Sequence, residues 1–565
     1  MFRKTAGEVL VELLIEWGVD HIYGMPGDSI NSLIEPLRKA KDKIRFIQVR
    51  HEEAGALAAA SYAKLTGKLG VCMAIAGPGA IHLLNGLYDA KLDHAPVLAI
   101  TGQVESDLLG LDYFQEVNLE RLFDDVSVYN QRIMSAEQLP AVVNQAIRTA
   151  YAKKGVAVLT IPDDIPKFEV APEARKTNSL IVYPEITPQK QDLEKAKAVL
   201  EQAKKPVILA GKGAKHARDS LLSFAEQIAA PIVLSLPGKG VIPDDHPFCL
   251  GGLGLIGTRP SFDAMKEADT LIMVGTSFPF TGFLPDGAKT IQIDTDATQV
   301  GKRHLVDVGV VGDAKKSLDW LTEHITKKTD RSFLEKMQNE KEVWLKIISH
   351  EESEESLPLK PQRVIQALRQ VTTDDAVLSV DVGNVTVWVA RHFHMTNQQM
   401  IISGWLATLG CGLPGAIAGK IAYPKRQVFA ICGDGGFAMT MADFVTAVKY
   451  GLPIIVVVLN NSKIAMIKFE QEVMGNIEYG TDLTNPNFAQ YAQACGGIGI
   501  RVEKAEDLQP AFEQAVSLKK PCIIDVVVDA DEAPMPAQIT FGQMAGYAKH
   551  MLKEIFEGKK PDLPF

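Results

Sequence analysis

The chain has 565 residues, 46% of them apolar and 23% charged, with a formal net charge of −10. That length exceeds what one hydrophobic core holds and implies three to four domains at about 150 residues each. An acidic balance with no Lys/Arg block offers no surface for a phosphate backbone, which excludes nucleic acid as a partner.

In chain order, the opening stretch MFRKTAGEVLVELLIEWGVD mixes acids into its apolar positions and reads as an amphipathic helix, not a signal peptide. Short β-branched runs follow: GVCMAIAG, PVLAITG and VAVLTIP, then PVILAG and TLIMVG, then QVFAICG and PIIVVVLNN. Each ends in Gly or Asn or is closed by Pro, and segments of helical period separate them. Continuous apolar strands alternating with helices mean parallel sheets covered on both faces, the α/β doubly wound class. The proline-bearing stretch 169–191 and the acidic, then proline-rich stretch 349–362 read as linkers. They divide the chain into three doubly wound domains, 1–180, 190–345 and 360–540, with a tail over 541–565. No run reaches 18 apolar residues, so nothing is expected to span a membrane. Six single cysteines without a CxxC pair suit a reduced, cytoplasmic protein.

Several of these elements end in turns fit for a ligand. YGMPGDSI (23–30) carries Pro26 and Gly27, and AGPGAIHLLNGLYDA (76–90) carries His82. Between them, IQVRHEEAGALAAASYAKLTG places Glu52 after a strand and before a helix of small residues; taken alone, the acids there favour a helix N-terminus. PVILAGKGAKHA holds a G-x-G-x-x-A turn at Gly211 and Gly213. The next strand, PIVLSLPGKG, ends without the acid that would bind an NAD ribose, so nicotinamide is disfavoured. SVDVGN ends in Gly383 and Asn384, and ISGWLATLGCGLPGAIAG contains Leu409.

VFAICGDGGF (428–437) then runs five apolar residues into Asp434, held between Gly433 and the pair Gly435–Gly436. In a doubly wound domain such a turn lets the backbone approach phosphates. An acid there would repel a diphosphate unless a divalent cation lay between them, and Mg²⁺ wants oxygens shared between protein and phosphates. A second ligand is expected from the neighbouring strand end, where PIIVVVLNN supplies Asn460 and Asn461 after one helix and one strand, MTMADFVTAVKYG being that helix. This GDG, spacer, NN arrangement resembles the signature of thiamine-diphosphate enzymes.

The resemblance implies Mg²⁺ held by Asp434, Asn461 and the carbonyl of Lys463. It implies Glu52 as the acid beside the aminopyrimidine ring, with Pro26, Gly27 and the His82 loop flanking the cofactor and His82 catalytic. Leu409 falls under the bent cofactor, and Gly383, Asn384, Gly433, Gly435 and Gly436 lie near its diphosphate. The pyrimidine-binding domain of one chain would face the diphosphate-binding domain of another, which implies a homo-oligomer, a dimer of dimers, and an inactive monomer.

Within that family the whole chain most resembles the pyruvate oxidases and pyruvate:quinone oxidoreductases. DYFQEVN (112–118) puts Phe114 and Gln115 at the substrate, and NNSKIAMIKFEQE (460–472) puts Glu470 where the oxidases carry a Glu and acetolactate synthases a Trp. Met466 departs from the aromatic residue of the oxidases compared. The middle domain resembles their FAD-binding domain, with Gly275, Thr276 and Phe278 toward the flavin and Asp294 and Asp313 toward the adenosine. Implied are pyruvate as substrate, thiamine diphosphate, Mg²⁺ and FAD as cofactors, and a quinone or oxygen as acceptor. Leu255 stands where phosphate-dependent oxidases carry an Arg, with Arg259 nearby. The tail places Phe541, Met544, Tyr547, Met551, Leu552, Ile555 and Phe556 along one helical side, with Lys549, Lys553, Lys559 and Lys560 open to anionic lipid, as in quinone-linked enzymes. A cytoplasmic enzyme, peripheral on the inner face of the membrane, is the expectation. Acetolactate synthase and a non-catalytic nucleotide-binding protein are the alternatives.

Overall fold

The computed structural model describes residues 4–175, 178–182, 185–534, 549–551 and 553. Among the described residues, three six-stranded sheets account for all but two of the strands, and every pairing within them is parallel. This is the α/β doubly wound class read from the alternating apolar runs. The first sheet runs Arg45–Gln48, His21–Gly24, Gly70–Ala74, Val97–Gln103, Val156–Pro162, Ser127–Arg132. The third runs Gln399–Ile401, Val377–Val380, Val428–Gly433, Ile455–Asn460, Cys522–Val527, Ile498–Val502. Counted in chain order within each sheet, both are 2-1-3-4-6-5. The middle sheet runs Cys249–Gly252, Ile232–Leu234, Pro206–Ala210, Thr270–Val274, Lys289–Asp294, Val308–Val311. Its order, 3-2-1-4-5-6, is that of dinucleotide-binding folds.

Strand order locates the crevices. In an open parallel sheet, a ligand binds beyond the strand ends where the order reverses, because the two connecting helices diverge there. In the first sheet that point lies between Gly24 and Ala74, in the middle sheet between Ala210 and Val274, and in the third between Val380 and Gly433. The turns 23–30, 76–90, 211–213, 275–278, 379–384 and 433–436 are all found at these three places.

The first and third domains share one hydrophobic core. Helix Glu52–Thr66, rich in alanine, packs along helix Gly412–Ala422. Small residues also seat these helices on their neighbours: a Cβ on Gly86 of helix Leu84–Leu92 would come within 2.5 Å of Ala56, and one on Gly415 within 2.2 Å of the Ser379 hydroxyl on strand Val377–Val380. Polar ties reinforce the seam. Arg50 N donates to Asp443 Oδ1 at 2.8 Å, Gln48 N to the Tyr450 hydroxyl at 2.8 Å, and Asn85 Nδ2 to Thr408 Oγ1 at 2.8 Å.

Three local readings differ. The acidic stretch from 349 begins inside helix Ser332–Ser353, because Glu352 is buried against Arg369 and His392 and holds the last turn in place. The segment MTMADFVTAVKYG is not one helix but a 3₁₀ turn, Met441–Asp443, followed by helix Phe444–Lys449; Asp443 is committed to the first domain through Arg50 N. Of the tail, Met551 is half-buried and Lys553 Nζ donates to Gly475 O at 2.5 Å, so this lysine is engaged by the protein itself. His550 beside them is buried, its Nδ1 2.6 Å from Asn476 O. Phe541, Met544, Tyr547, Leu552, Ile555, Phe556, Lys559 and Lys560 lie outside the described residues. All six cysteines are free thiols, and no helix among the described residues is long and apolar enough to cross a membrane.

Candidate functional site

Two half-sites emerge, one on each of the like sheets. On the first, Glu52 opens helix Glu52–Thr66 with His51 as its N-cap and is buried. His82, at the end of the short helix Pro78–His82, brings Nδ1 to 2.9 Å from Glu52 Oε2. A Cβ on Gly79 would lie 3.2 Å from Glu52 Oε1, so the glycine leaves that oxygen room. Gly77, at φ +63°, makes the turn beneath, and its missing Cβ would stand 3.0 Å from Gln115 O. Gln115 therefore lies over the His82 loop, itself in the left-handed region at φ 63°. Its neighbour Phe114 is 74% exposed. On the adjoining strand end, a Cβ on Gly27 would come within 2.5 Å of Ile75, which keeps the Pro26–Gly27 turn close to the 76–90 turn.

The half-site of the third domain centres on Asp434. The GDGG segment is not a loop ahead of a helix: helix Asp434–Thr440 begins at the aspartate itself, and Gly435 and Gly436 lie inside it. Within that helix, crowding explains Gly436, since a Cβ there would fall 2.8 Å from Asp381 Cγ. Asp434 is 2% exposed. Its Oδ1 accepts from Gly435 N at 2.9 Å, and its Oδ2 accepts from Ser462 N at 2.6 Å and Asn485 Nδ2 at 2.7 Å. Burial pushes its carboxyl above the usual range, and among the described residues no cationic side chain is paired with it. A buried carboxylate of this kind is stabilised by a cation.

The two asparagines divide the work. Asn460 is buried and structural: its Nδ2 donates to Asp525 Oδ1 at 2.9 Å, and its Oδ1 accepts from Asn485. Asn461 stays half-buried beside Asp434, its Oδ1 accepting from Lys463 N at 3.1 Å. Asp434, Asn461 and the Lys463 carbonyl thus supply only hard oxygens, the donor type Mg²⁺ takes. Around them, Gly383 at φ 119° precedes helix Asn384–His392, and Asn384 Oδ1 is buried with no hydrogen-bond partner among the described residues. A Cβ on Gly433 would meet nothing within 4 Å among the described residues. An orphaned amide oxygen, open space at a glycine and an unpaired buried carboxylate together fit a metal and a phosphorylated ligand.

Two residues here escaped the sequence reading. Asp381, fully buried, accepts from Val382 N at 2.8 Å, Gly410 N at 2.9 Å and Gly412 N at 3.2 Å, and burial lifts it to about 6. It thereby pins the loop bearing Leu409, which is half-buried. Asn485 anchors Asp434 from a distant loop. Helix Ala465–Val473 presents Met466 half-buried and Glu470 exposed. Among the described residues, no hydrogen bond or ion pair joins Glu52 or His82 to Asp434, Asn461 or Glu470.

In the middle domain, Gly211 and Gly213 are held against Gly275 and Thr276: Gly213 N donates to Gly275 O at 3.1 Å, and Gly275 turns at φ +59°. Phe278 is buried, with Phe280 edge-on to it. Asp294 ends its strand with its carboxyl raised by burial. Asp313 already caps helix Ala314–His324 through Lys316 N and lies 2.7 Å from His216 Nε2. Leu255 is exposed, while its carbonyl accepts from Arg391 at 3.0 Å.

Three family models match the chain: the N-terminal TPP binding domain of thiamine pyrophosphate enzymes over residues 4–122, the central domain over 193–321, and the C-terminal TPP binding domain over 381–526. A putative thiamine pyrophosphate-containing protein of Bacillus subtilis is 54% identical over 565 residues, covering 100% of this chain and 98% of its own. The pyruvate oxidase of Lactiplantibacillus plantarum is 38% identical, covering 94% of this chain and 90% of its own. The acetolactate synthase large subunit of Corynebacterium glutamicum is 33% identical, covering 94% and 88%.

Proposed function

The chain belongs to the thiamine pyrophosphate enzyme family, and from that premise we propose that it is a pyruvate oxidase. It decarboxylates pyruvate to acetate and CO₂ and passes two electrons through FAD to a membrane quinone. The cofactor half of this reading rests on one observation above all: Asp434 is buried and, among the described residues, paired with no cationic side chain. The substrate half is supported by the likeness to a pyruvate oxidase along nearly the whole chain, and the FAD assignment by the dinucleotide-type strand order of the middle sheet.

On this reading Asp434, Asn461 and the Lys463 carbonyl hold Mg²⁺, and Gly383, Asn384, Gly433, Gly435 and Gly436 receive a diphosphate. Bound thiamine diphosphate supplies the nucleophilic carbon that accepts the keto acid, and FAD takes up the electrons. Glu52 holds the proton shared with the aminopyrimidine, and the His82 hydrogen bond keeps that carboxylate oriented. Leu409 supports the cofactor from below, its loop fixed by Asp381. Phe114, Gln115, Met466 and Glu470 border the substrate. Gly211, Gly213, Gly275, Thr276, Phe278, Asp294 and Asp313 surround the flavin nucleotide. Pro26 and Gly27 complete the pyrimidine side, which a second chain brings to Asp434.

The test is anaerobic addition of pyruvate to protein reconstituted with thiamine diphosphate, Mg²⁺ and FAD. Bleaching of the flavin with formation of acetate is expected; bound flavin that never bleaches would overturn the oxidase. The relatives at about a third identity favour a second reading, acetolactate synthase, for which acidified reactions would yield acetoin. The acceptor is decided by comparing a soluble quinone with oxygen, with and without phosphate. Strict phosphate dependence with peroxide formation would replace the quinone by oxygen and acetate by acetyl phosphate.

A further inference from the structure

We infer that His51, Glu52 and His82 form a binding site for a borderline transition-metal ion such as Zn²⁺ or Co²⁺, and that its occupancy excludes thiamine diphosphate. One ligand atom from each residue lies within 4.8 Å of the others. The two imidazoles are stacked, centroids 4.4 Å apart and 28° between planes. Their side chains are 49% and 42% exposed, so both rings can turn toward an ion, whereas the Glu52 side chain is 11% exposed and fixed. Zn–N and Zn–O bonds of about 2.0–2.2 Å place ligand atoms roughly 3.3 Å apart, a modest closure from the present spacing.

The hydrogen bonding favours this use. His82 Nδ1 lies 2.9 Å from Glu52 Oε2, already near the separation of two ligands on one ion, which would take the place of the hydrogen-bonding proton between them. His51 Nδ1 accepts from Glu53 N at 3.3 Å, a weak cap that a coordinate bond replaces at small cost. Two imidazoles and one carboxylate suit Zn²⁺, Co²⁺ or Ni²⁺, while Mg²⁺ prefers the oxygens at Asp434. The molecule therefore carries two cation sites of opposite hardness. Exclusion of the cofactor rests on the proposed role of Glu52; ion binding does not.

The experiment uses full-length protein freed of cofactor and divalent ions. Co²⁺ is expected to bind with the intense visible bands of tetrahedral nitrogen and oxygen coordination, and Zn²⁺ to bind in one equivalent against a chromophoric chelator. His51→Asn, which keeps a capping side chain, should weaken Zn²⁺ by about tenfold or more, and His82→Gln should abolish the bands. With Mg²⁺ and thiamine diphosphate present, His51→Asn should retain wild-type turnover while needing more Zn²⁺ for inhibition. Absence of the bands, or bands unchanged in His51→Asn, would overturn the site. Bands sensitive to His51→Asn but unmoved by thiamine diphosphate would uphold the site and overturn the competition.

Discussion

Two glycine turns at strand ends look alike in the sequence, GKG at 211–213 and GDGG at 433–436, yet they are glycine for different reasons. In the middle domain a Cβ on Gly211 would come within 2.5 Å of Gly275 O and one on Gly213 within 2.8 Å of Gly275 Cα, so the chain's own packing demands both. In the third domain Gly433 has an ordinary φ of −73° and open space where a Cβ would be. Neither backbone nor neighbour among the described residues requires glycine there, which leaves the position open to a group approaching from outside. Only the second kind of glycine is evidence for a ligand.

That contrast can be broken or sharpened by substitution. The largest effect is expected from Asp434→Ala, which should leave the apoprotein folded but weaken thiamine diphosphate by about two orders of magnitude or more, since even outer-shell partners of a metal are worth about 10–100-fold. Calorimetry with and without Mg²⁺ reads it, and unchanged affinity would reduce the third-domain turn to a structural one. Next comes a pH effect behind the same turn. Asp381 rises from 3.8 to about 6 on folding, so the folded state keeps a proton the unfolded chain has released. Its contribution is fully present below pH 3.8 and lost as pH rises through 6, a few kcal/mol at about 1.4 per unit. Denaturant titrations of the apoprotein across that window should show a shallower fall in Asp381→Asn.

Smaller effects separate the two turns directly. Gly211→Ala should cost about 1–3 kcal/mol through overpacking, lowering the apoprotein's melting temperature by about 2–4 °C per kcal/mol. Gly433→Ala should leave that temperature unchanged and weaken the cofactor about tenfold, roughly 1.4 kcal/mol. A drop in apoprotein melting temperature for Gly433→Ala, or none for Gly211→Ala, would erase the distinction.

What was legible in the sequence was what depends on short range. Apolar runs such as VFAICG and PIIVVVLNN announced buried parallel strands, and the spacing of Asp434 and Asn461 announced two adjacent strand ends. Asp381 was not legible as an organising residue, because its role comes from strand Val377–Val380 lying beside Val428–Gly433, and adjacency is set by sheet order. Asn485 sits in an aperiodic loop that only the tertiary fold carries to Asp434. The 3-2-1-4-5-6 order of the middle sheet was equally hidden, since the same chain of alternating elements is compatible with several orders. The helix running through 349–353 was missed because its acids read as a solvated linker until Arg369 and His392 are seen to cover Glu352.

The shared core of the first and third domains has a genetic consequence. Helix Glu52–Thr66 is fastened to helix Gly412–Ala422 of its own chain, so under the proposed function, in which a second chain completes each site, the two half-sites of one polypeptide would serve different catalytic centres. Under the proposed function, Glu52→Gln and Asp434→Ala damage opposite halves. A cell making both variants would assemble hybrid pairs in which one centre carries both lesions and the other none. Two alleles that are each silent should therefore complement, restoring about a quarter of wild-type activity if subunits mix at random.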